Sequence, residues 1–156
     1  MVRGVASPVP GLQYAVRPWR RADGQVEILL VTTRNTHRWI VPKGWPLEGR
    51  TPSESAAQEA LEEAGVIGKI EADAFGTFRY NKRRKSGEVV PCKVQVFAME
   101  VERQRRSWAE KALRETCWCT PEEALARVSD VGLRRLIAKF AKSSARRQKQ
   151  RVHRIR

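Results

Sequence analysis

The first half of the chain carries short apolar segments separated by polar turns, and this pattern predicts strands. Residues Ile28 to Val31 form a continuous apolar run, which is typical of a buried strand. Asp23-Gly24, just before that run, is a common hairpin turn dipeptide. The predicted strands are Gly11 to Arg17, Val26 to Thr32, Trp39 to Val41, Val66 to Tyr80 and Val89 to Val101.

Three helices are predicted from their starting residues and their apolar periodicity. Thr51 and Glu54 form a capping box at the first helix, and Thr120 and Glu123 repeat it at the second. Gly65 ends the first helix, because glycine readily adopts the left-handed conformation of a helix end. The predicted helices are residues 51–64, 120–127 and a last one from about residue 131. Strands and helices in this mixed order predict an α/β sandwich, with a mixed sheet between helical layers.

The composition predicts a single domain in a reducing compartment. A chain of 156 residues is long enough for one proper core and too short for two. No apolar run approaches the roughly 20 residues that cross a bilayer, and the first residues lack the apolar core of a secretory signal. The three cysteines include no CxxC pair, so neither a disulfide framework nor a structural zinc site is expected. We expect a cytoplasmic location and no membrane partner.

The net charge of +14 is unevenly distributed along the chain. Ten basic residues and no acidic residue follow Asp130, which leaves +4 for residues 1–130. The sequence therefore predicts a domain over residues 1–142 and a basic C-terminal tail over residues 143–156, frayed or disordered because its apolar stripe fades. Such a tail favours a weak, nonspecific contact with nucleic acid. No aromatic residue follows Phe140, so the tail offers no base-stacking platform.

The first predicted helix concentrates three carboxylates. Glu59, Glu62 and Glu63 fall within an arc of about 100° of its surface, and small apolar residues occupy the other side. The three charges repel one another, and no basic residue of this helix lies three or four positions away to relieve them. Mg²⁺ and Mn²⁺ prefer carboxylate oxygens and would relieve the repulsion. The alternative interpretation is a solvated acidic face.

The stretch from Gly44 to Val66 resembles the Nudix box, G-x5-E-x7-R-E-U-x-E-E-x-G-U. Six residues fall on their motif positions without a gap: Gly44, Glu59, Glu62, Glu63, Gly65 and Val66. The resemblance implies a Nudix-type α/β/α sandwich and a pyrophosphohydrolase. Two positions depart from the motif, because Arg50 replaces its first glutamate and Gln58 replaces its arginine. We expect the loss of a supporting salt bridge, with Glu48 or Glu54 as new partners for Arg50.

The resemblance also implies roles for individual residues. Glu59 and Glu63 are the expected metal ligands, with Glu62 as a third ligand or as a ligand of a second Mg²⁺ or Mn²⁺ ion. The metal would lower the pKa of a bound water that attacks phosphorus. The general base in this family is a glutamate of the box or of a later loop. The candidate catalytic residues are therefore Glu62, Glu63, Glu110 and Glu115, of which the last two are also consistent with ordinary surface carboxylates.

Residues outside the box resemble the diphosphoinositol polyphosphate phosphohydrolase branch of the family. The similar segments are Trp39 to Pro42, Ala56-Ala57, Glu62 to Val66, and Arg114-Glu115 with Trp118. This branch implies hydrolysis of inositol pyrophosphates or dinucleoside polyphosphates. A nucleoside triphosphate or RNA 5′-end pyrophosphohydrolase is a second hypothesis, and a non-catalytic Nudix-like module that binds polyanions is a third. The sequence leaves the oligomeric state open.

Basic residues near the expected site predict a phosphate-rich small-molecule substrate, because arginine and lysine bind phosphate by charge-assisted hydrogen bonds. The run Lys82 to Lys85 is equally typical of a solvated hairpin tip. Trp45 or Tyr80 offers a ring for stacking a nucleobase, although packing in the core or hinge is the commoner role. The candidate substrate-binding residues are Arg17, Arg38, Lys43, Gly44, Arg79, Lys82 and Arg84.

Overall fold

The computed structural model of this chain describes the backbone of residues 11–155 and the side chains of residues 11–144. The strands are β1 Leu12–Ala22, β2 Gln25–Thr32, β3 Trp39–Ile40, β4 Lys43–Gly44, β5 Val66–Ile70, β6 Gly76–Arg83, β7 Val89–Gln104 and β8 Thr116–Cys119. The helices are α1 Pro52–Ala64, α2 Pro121–Arg127 and α3 Val131–Ile155, with a 3₁₀ turn at Lys111–Leu113.

The eight strands of the described residues belong to one sheet, which is mixed, as the sequence predicts. Its central order is β3-β2-β1-β7-β5, in which β1 and β7 are parallel and the remaining pairs are antiparallel. The short strand β4 pairs with β1, and β8 pairs with β2. Strand β1 therefore lies at the centre of the sheet and carries β4 beside the start of the loop that leads to α1.

Helices cover both faces of the sheet, and this confirms the predicted sandwich. Along β2, Ile28 and Leu30 join a core with α2 and α3, whereas Leu29 and Val31 join a second core with α1. Successive side chains of a strand point to opposite faces, so a run that is apolar at every position requires apolar layers on both sides. The predicted buried strand at Ile28 to Val31 is confirmed, since all four side chains are inaccessible to solvent.

The turn between β1 and β2 has the predicted position. Ala22 pairs with Gln25, so only Asp23 and Gly24 lie in the loop. Both have positive φ, +51° and +77°, as a two-residue type I′ hairpin turn requires.

The single strand predicted over Val66 to Tyr80 is wrong. The structure divides it into β5 and β6, which lie end to end along one edge of the 16-residue strand β7. The interruption falls at residues 71–74, which are exposed and include Glu71 and Asp73. Periodicity alone did not separate these strands, because both continue the same edge of one long partner.

Helix α1 begins and ends where the sequence predicts. The Thr51 side chain accepts a hydrogen bond from the Glu54 amide, and the Glu54 carboxylate accepts one from the Thr51 amide. Gly65 ends the helix in the left-handed conformation, with φ of +70°. Ala56, Ala60 and Ala64 are fully buried, and their small side chains allow the helix to lie close to the sheet.

Helix α3 is longer than the apolar pattern suggested. Its backbone is helical to Ile155, beyond the position near residue 143 where we expected loss of order. The side chains of the basic segment from residue 145 lie outside the described residues. Among the helices that the structure describes, none combines the length and the apolar character needed to span a membrane.

Candidate active site

Two carboxylates of α1 line an open cleft of about 390 Å³ beside the centre of the sheet. Glu59 and Glu63 are four residues apart, so one turn of helix places them on the same side. Glu110, from the loop between β7 and β8, lines the same cleft. Glu62 does not line it, and its Oε2 accepts a 2.6 Å hydrogen bond from Nε2 of Gln58. Four glutamates were predicted in the Nudix-like box and at Glu110, and all of them except Glu62 line the cleft.

Gly44 makes room for the Glu59 side chain. This glycine pairs with Tyr14 of β1 and is buried beneath α1. A Cβ atom built on Gly44 would overlap Oε1 and Cδ of Glu59. Gly44 is therefore required by the position of a carboxylate, and its role in substrate binding stays a prediction.

Glu63 is the most buried carboxylate of the cleft, with 4% of its surface exposed. Its Oε2 lies 3.6 Å from the Arg114 guanidinium, and its buried Oε1 accepts no hydrogen bond from the described residues. Burial raises the pKa of Glu63 to about 8, against the opposing effect of the Arg114 charge. An unsatisfied, desolvated oxygen of this kind is suited to a cation.

Glu59 is similarly disfavoured as an anion. Burial and then the charges of Glu62 and Glu110 raise the pKa of Glu59 to about 7. Arg114 and Lys43 act in the opposite direction and do not cancel the effect. Burial is the first cause of both raised pKa values, and a divalent cation held by Glu59 and Glu63 would favour the charged form of both carboxylates.

Arg114 holds the two sides of the acidic cluster together. Its Nε donates a 2.9 Å hydrogen bond to Glu110, and its guanidinium also contacts Glu63. A third contact, from Nη1 to the carbonyl of Thr32 at 3.0 Å, fixes the guanidinium to the end of β2. Arg114 was not among the predicted site residues. The available signal was its place in the Arg114-Glu115 segment. That segment indicated only a resemblance to the diphosphoinositol polyphosphate phosphohydrolase branch of the family.

Basic side chains form the other side of the cleft. Lys43, Lys82 and Arg34 line it together with the exposed ring of Trp45. Burial, and then the Lys82 charge, lowers the pKa of Lys43 to about 8. Its Nζ donates a 3.0 Å hydrogen bond to the Tyr80 hydroxyl. An anionic ligand beside this ammonium would favour its charged form.

The Tyr80 hydroxyl connects Lys43 to the sheet. It donates a 2.7 Å hydrogen bond to Oε1 of Gln13, whose side chain is 2% exposed. The position of the ammonium is thus fixed from the central strand β1. Gln13 and Tyr80 were not predicted as site residues, because a polar residue within a strand does not reveal from sequence that it contacts a distant lysine.

The loop of residues 105–115 closes over the C-terminal end of α1. Gln104 and Trp108 donate side-chain hydrogen bonds to the carbonyls of Ala64 and Glu63, at 2.9 and 3.1 Å. The amide of Glu110 donates to the carbonyl of Glu62 at 2.9 Å. Carbonyls at a helix end lack partners within the helix, so these contacts both satisfy them and place Glu110 opposite Glu63.

We expect Trp108→Ala to destabilise the protein by about 2–3 kcal/mol, because it removes a half-buried ring packed on Gly65 and a helix-end hydrogen bond. Trp108→Phe keeps most of the ring and loses the indole donor, so about 1 kcal/mol is expected. Urea denaturation measures both. A Trp108→Phe variant as stable as the parent protein would contradict the role of the hydrogen bond, and equal losses in the two variants would contradict the role of ring packing.

Four other predicted substrate-binding residues lie apart from this cleft. Arg17 is buried on the α3 side, with its guanidinium 3.5 Å from the Phe140 ring centroid and 4.5 Å from that of Phe75. Arg79 is exposed and alternates with the inward residues of β6, and Arg84 lies in the hairpin turn, 3.8 Å from Glu88. Arg38 lines a separate, adjoining cavity. Only Lys43, Gly44 and Lys82 of the predicted set line the cleft.

Glu110 and Glu115 are placed differently. Glu110 lines the cleft, whereas Glu115 is exposed and does not. The Glu115 carbonyl accepts a 3.0 Å hydrogen bond from the Thr32 amide, and the Glu115 amide donates a 2.9 Å hydrogen bond to the Thr32 hydroxyl. The geometry therefore favours Glu110 as the candidate base.

The expected rearrangement around Arg50 is absent from the described part of the chain. No ion pair joins Arg50 to Glu48 or Glu54 among those residues, and Gln58 bonds within its own helix. Instead, the buried hydroxyl of Ser55 accepts a 3.0 Å hydrogen bond from the Leu47 amide. A neutral contact at the start of α1 thus joins the loop to the helix.

The fit of the site to a metal depends on the pair Glu59 and Glu63. The side chains that the structure describes contain no cluster of three or more carboxylate, imidazole or thiolate groups arranged around one ion. Mg²⁺ commonly uses one or two protein carboxylates and completes its shell with waters and substrate phosphates. Two desolvated carboxylates in a cleft with basic walls fit that mode of binding.

The fold and this site define the class of protein. Residues 13–140 match the model of the NUDIX domain, and the chain belongs to the NUDIX family. It is 32% identical over 108 residues to "Nudix hydrolase 13, mitochondrial" of Arabidopsis thaliana, which covers 66% of this chain and 54% of that protein. It is also 32% identical over 108 residues to diphosphoinositol polyphosphate phosphohydrolase 3-alpha of Mus musculus, covering 67% and 62%.

Solved structures share the fold at lower identity. The binary complex of the C. elegans Ap4A hydrolase superposes with a TM-score of 0.66 at 22% identity, covering 88% of this chain and 98% of that one. The chain spans little more than half the length of the plant relatives it matches.

Proposed function

We propose that this protein is a metal-dependent pyrophosphohydrolase, in which water cleaves a phosphoanhydride of a phosphate-rich small molecule. The observation that carries the proposal is the convergence of Glu59 and Glu63, both desolvated, with Lys43 and Lys82 in one cleft. Family membership supports the class of reaction. Neither a solvated acidic face nor a decayed site would retain a buried and a half-buried carboxylate whose ionisation is disfavoured.

In this proposal Glu59 and Glu63 hold Mg²⁺ or Mn²⁺, and Glu62 supports them from the adjacent position of α1. Such an ion, when bound, neutralises phosphate charge and lowers the pKa of a water. Glu110 accepts the proton of the attacking water, held in place by Arg114. Lys43 and Lys82 bind the phosphate oxygens and stabilise the charge that develops on the leaving group.

The proposed substrates are inositol pyrophosphates or dinucleoside polyphosphates, and the alternative substrates are nucleoside triphosphates or RNA 5′ ends. The resemblance to the mouse diphosphoinositol polyphosphate phosphohydrolase supports the first class. A catalytic domain over residues 1–142, a tail with weak nucleic-acid contact and a cytoplasmic location complete the proposal.

The test is turnover by the purified full chain with Mg²⁺, with Mn²⁺ or with EDTA. The panel contains an inositol pyrophosphate, a diadenosine polyphosphate, a nucleoside triphosphate and 5′-triphosphate RNA. We expect metal-dependent turnover, and Glu59→Gln should lower kcat/KM about 100-fold because a ligand is lost.

Glu54→Gln is the matched control, because it makes the same charge change on the same helix and glutamine also completes a capping box. It should stay within about twofold of the parent protein. If no substrate turns over in any metal while polyanions bind both proteins equally, the protein is the non-catalytic binding module instead.

A further inference from the structure

The cleft places a lysine ammonium close to the carboxylates that would bind a metal ion. Lys43, Glu59 and Glu63 all line this space of about 390 Å³. Opposite charges in a partly desolvated cleft attract strongly, and a lysine side chain is long and flexible. No ion pair nevertheless joins Lys43 to a carboxylate among the side chains that the structure describes. A competing contact therefore holds the ammonium away from both glutamates.

Glu63 offers an acceptor that would attract this ammonium. Its Oε1 is buried and accepts no hydrogen bond from the described residues. Burial is the first cause of the lowered pKa of Lys43 and of the raised pKa of Glu63, and the charge of each residue opposes the shift in the other. A Lys43–Glu63 pair would therefore favour the charged form of both groups. It would also be unproductive, because it would occupy a metal ligand and withdraw the ammonium from phosphate.

The competing contact comes from Tyr80. Nζ of Lys43 lies 3.0 Å from the Tyr80 hydroxyl oxygen and 4.8 Å from the centroid of the Tyr80 ring. That ring packs against Phe78 with centroids 6.2 Å apart, and Phe78 is itself buried. The packing fixes the ring, so the hydroxyl presents a stationary acceptor to the ammonium.

Gln13 sets the direction of the hydrogen bonds. A tyrosine hydroxyl has one hydrogen, and Tyr80 donates it to Oε1 of Gln13 at 2.7 Å. The hydroxyl oxygen then has only lone pairs to offer Lys43, so it accepts a hydrogen bond from the ammonium. Gln13 is 2% exposed on the central strand β1, which holds its amide in place. Two of the three N–H groups of Lys43 remain for other acceptors.

We propose that Tyr80 and Gln13 are positioning residues that keep Lys43 from pairing with Glu63, so that the metal ligands and the phosphate-binding ammonium both stay available. The proposal rests on the proposed function for the identity of the two ligands, metal and phosphate. Both residues act through Lys43 and need not touch the reacting atoms. Their effect should be greatest before substrate binds, because bound phosphates give the ammonium another acceptor.

The experiment measures Mn²⁺ binding to the full chain without substrate, by electron paramagnetic resonance of the free ion. Tyr80→Phe keeps the ring and removes the hydroxyl. It should weaken Mn²⁺ binding about tenfold, because a hydrogen bond to a charged group commonly accounts for an effect of this size. Gln13→Met should weaken it in the same direction by a smaller factor, since the hydroxyl remains and only its orientation is lost.

Tyr14→Phe is the matched control, because it removes the hydroxyl of the other tyrosine in the chain. Tyr14 packs edge-on against Phe97 and does not line the cleft. Its substitution should leave the Mn²⁺ affinity within about twofold of the parent.

A double variant distinguishes positioning from a merely structural role. Tyr80→Phe combined with Lys43→Met should bind Mn²⁺ within about twofold of Lys43→Met alone, because no ammonium remains to pair with Glu63. Metal-free binding of inorganic pyrophosphate should behave differently. It should be weakened in Lys43→Met and stay weakened in the double variant. A loss of Mn²⁺ affinity on Tyr80→Phe that is the same with and without Lys43 would overturn the proposal.

A crystal structure of metal-free Tyr80→Phe checks the geometry directly. Nζ of Lys43 should lie within about 4 Å of a Glu63 carboxylate oxygen, the usual limit for an ion pair. If Nζ stayed beside the ring at position 80, the proposal would be wrong whether or not the variant binds metal. Absence of turnover in the parent, with the Lys43-dependent change in Mn²⁺ affinity intact, would refute only the hydrolase. Thermal unfolding of each variant checks that it folds.

Discussion

Glu63→Gln is expected to lower kcat strongly while making the metal-free protein more stable at pH 8. The first effect follows from the loss of a ligand that, with the metal, contributes several kcal/mol of transition-state stabilisation, or about 10³-fold in kcat. The second follows from burial, because the glutamine amide is nearly isosteric with the carboxylate and needs no charge in the buried position.

The pH dependence gives the sign of the stability change. Folding raises the pKa of Glu63 from its ordinary value of 4.5 to about 8. Between these two pH values the folded state retains a proton that the unfolded state has lost, so stability falls as pH rises from about 4.5 to 8. The groups that face Glu63 are Glu59, Glu110, Arg114 and Lys43, and Arg114 keeps its other two contacts in the variant.

In EDTA at pH 8 we therefore expect the free energy of unfolding of Glu63→Gln to exceed that of the parent by about 1–3 kcal/mol. At pH 5 the two free energies of unfolding should be nearly equal. Urea denaturation at both pH values measures this, with Glu54→Gln as the exposed control on the same helix. A variant that is less stable than the parent at pH 8 would mean that the Arg114 ion pair outweighs the burial of Glu63.

Gly44→Ala is expected to lower kcat/KM about 100-fold with little loss of stability. The added methyl group would overlap the Glu59 carboxylate and displace it, and a shift of about 1 Å in a catalytic group can cost about 10²-fold in rate. The φ angle of Gly44 is not in the left-handed region, so the alanine backbone fits without strain. Steady-state kinetics and the Mg²⁺ concentration for half-maximal rate measure the effect.

Gly76→Ala is the control that distinguishes a general loss of packing from displacement of the Glu59 carboxylate. Its added methyl group would overlap the Leu136 side chain on the far side of the sheet, so it should reduce stability and leave kcat/KM within about twofold. If Gly44→Ala retained full activity, Glu59 would have to move without consequence, and its proposed role as a metal ligand would be wrong.

The sequence by itself determined the elements that depend on local physics. The capping box at Thr51, the helix end at Gly65 and the turn at Asp23-Gly24 each follow from hydrogen bonds or backbone angles of neighbouring residues. The apolar run Ile28 to Val31 similarly required a sheet covered on both faces. The spacing of Glu59 and Glu63 placed both on one side of a helix. This part of the candidate site therefore follows from helical periodicity.

Only the tertiary structure decided which distant groups meet these carboxylates. Arg114 contacts Glu63 and Glu110 because the loop of residues 105–115 closes over the end of α1, and no local pattern encodes that closure. Arg17, selected from its charge, packs against Phe140 because α3 crosses that face of the sheet.

The different environments of the Glu110 and Glu115 side chains have the same origin. The two are five residues apart and chemically identical, but the pairing of Glu115 with Thr32 leaves its side chain in solvent, whereas the amide of Glu110 is fixed against α1. The cavity that Arg38 lines likewise joins β3, β6 and the start of α3, which are remote in sequence. Local sequence thus specified which carboxylates share one side of α1. Long-range packing specified their partners, because a contact between distant segments depends on the path of the whole chain.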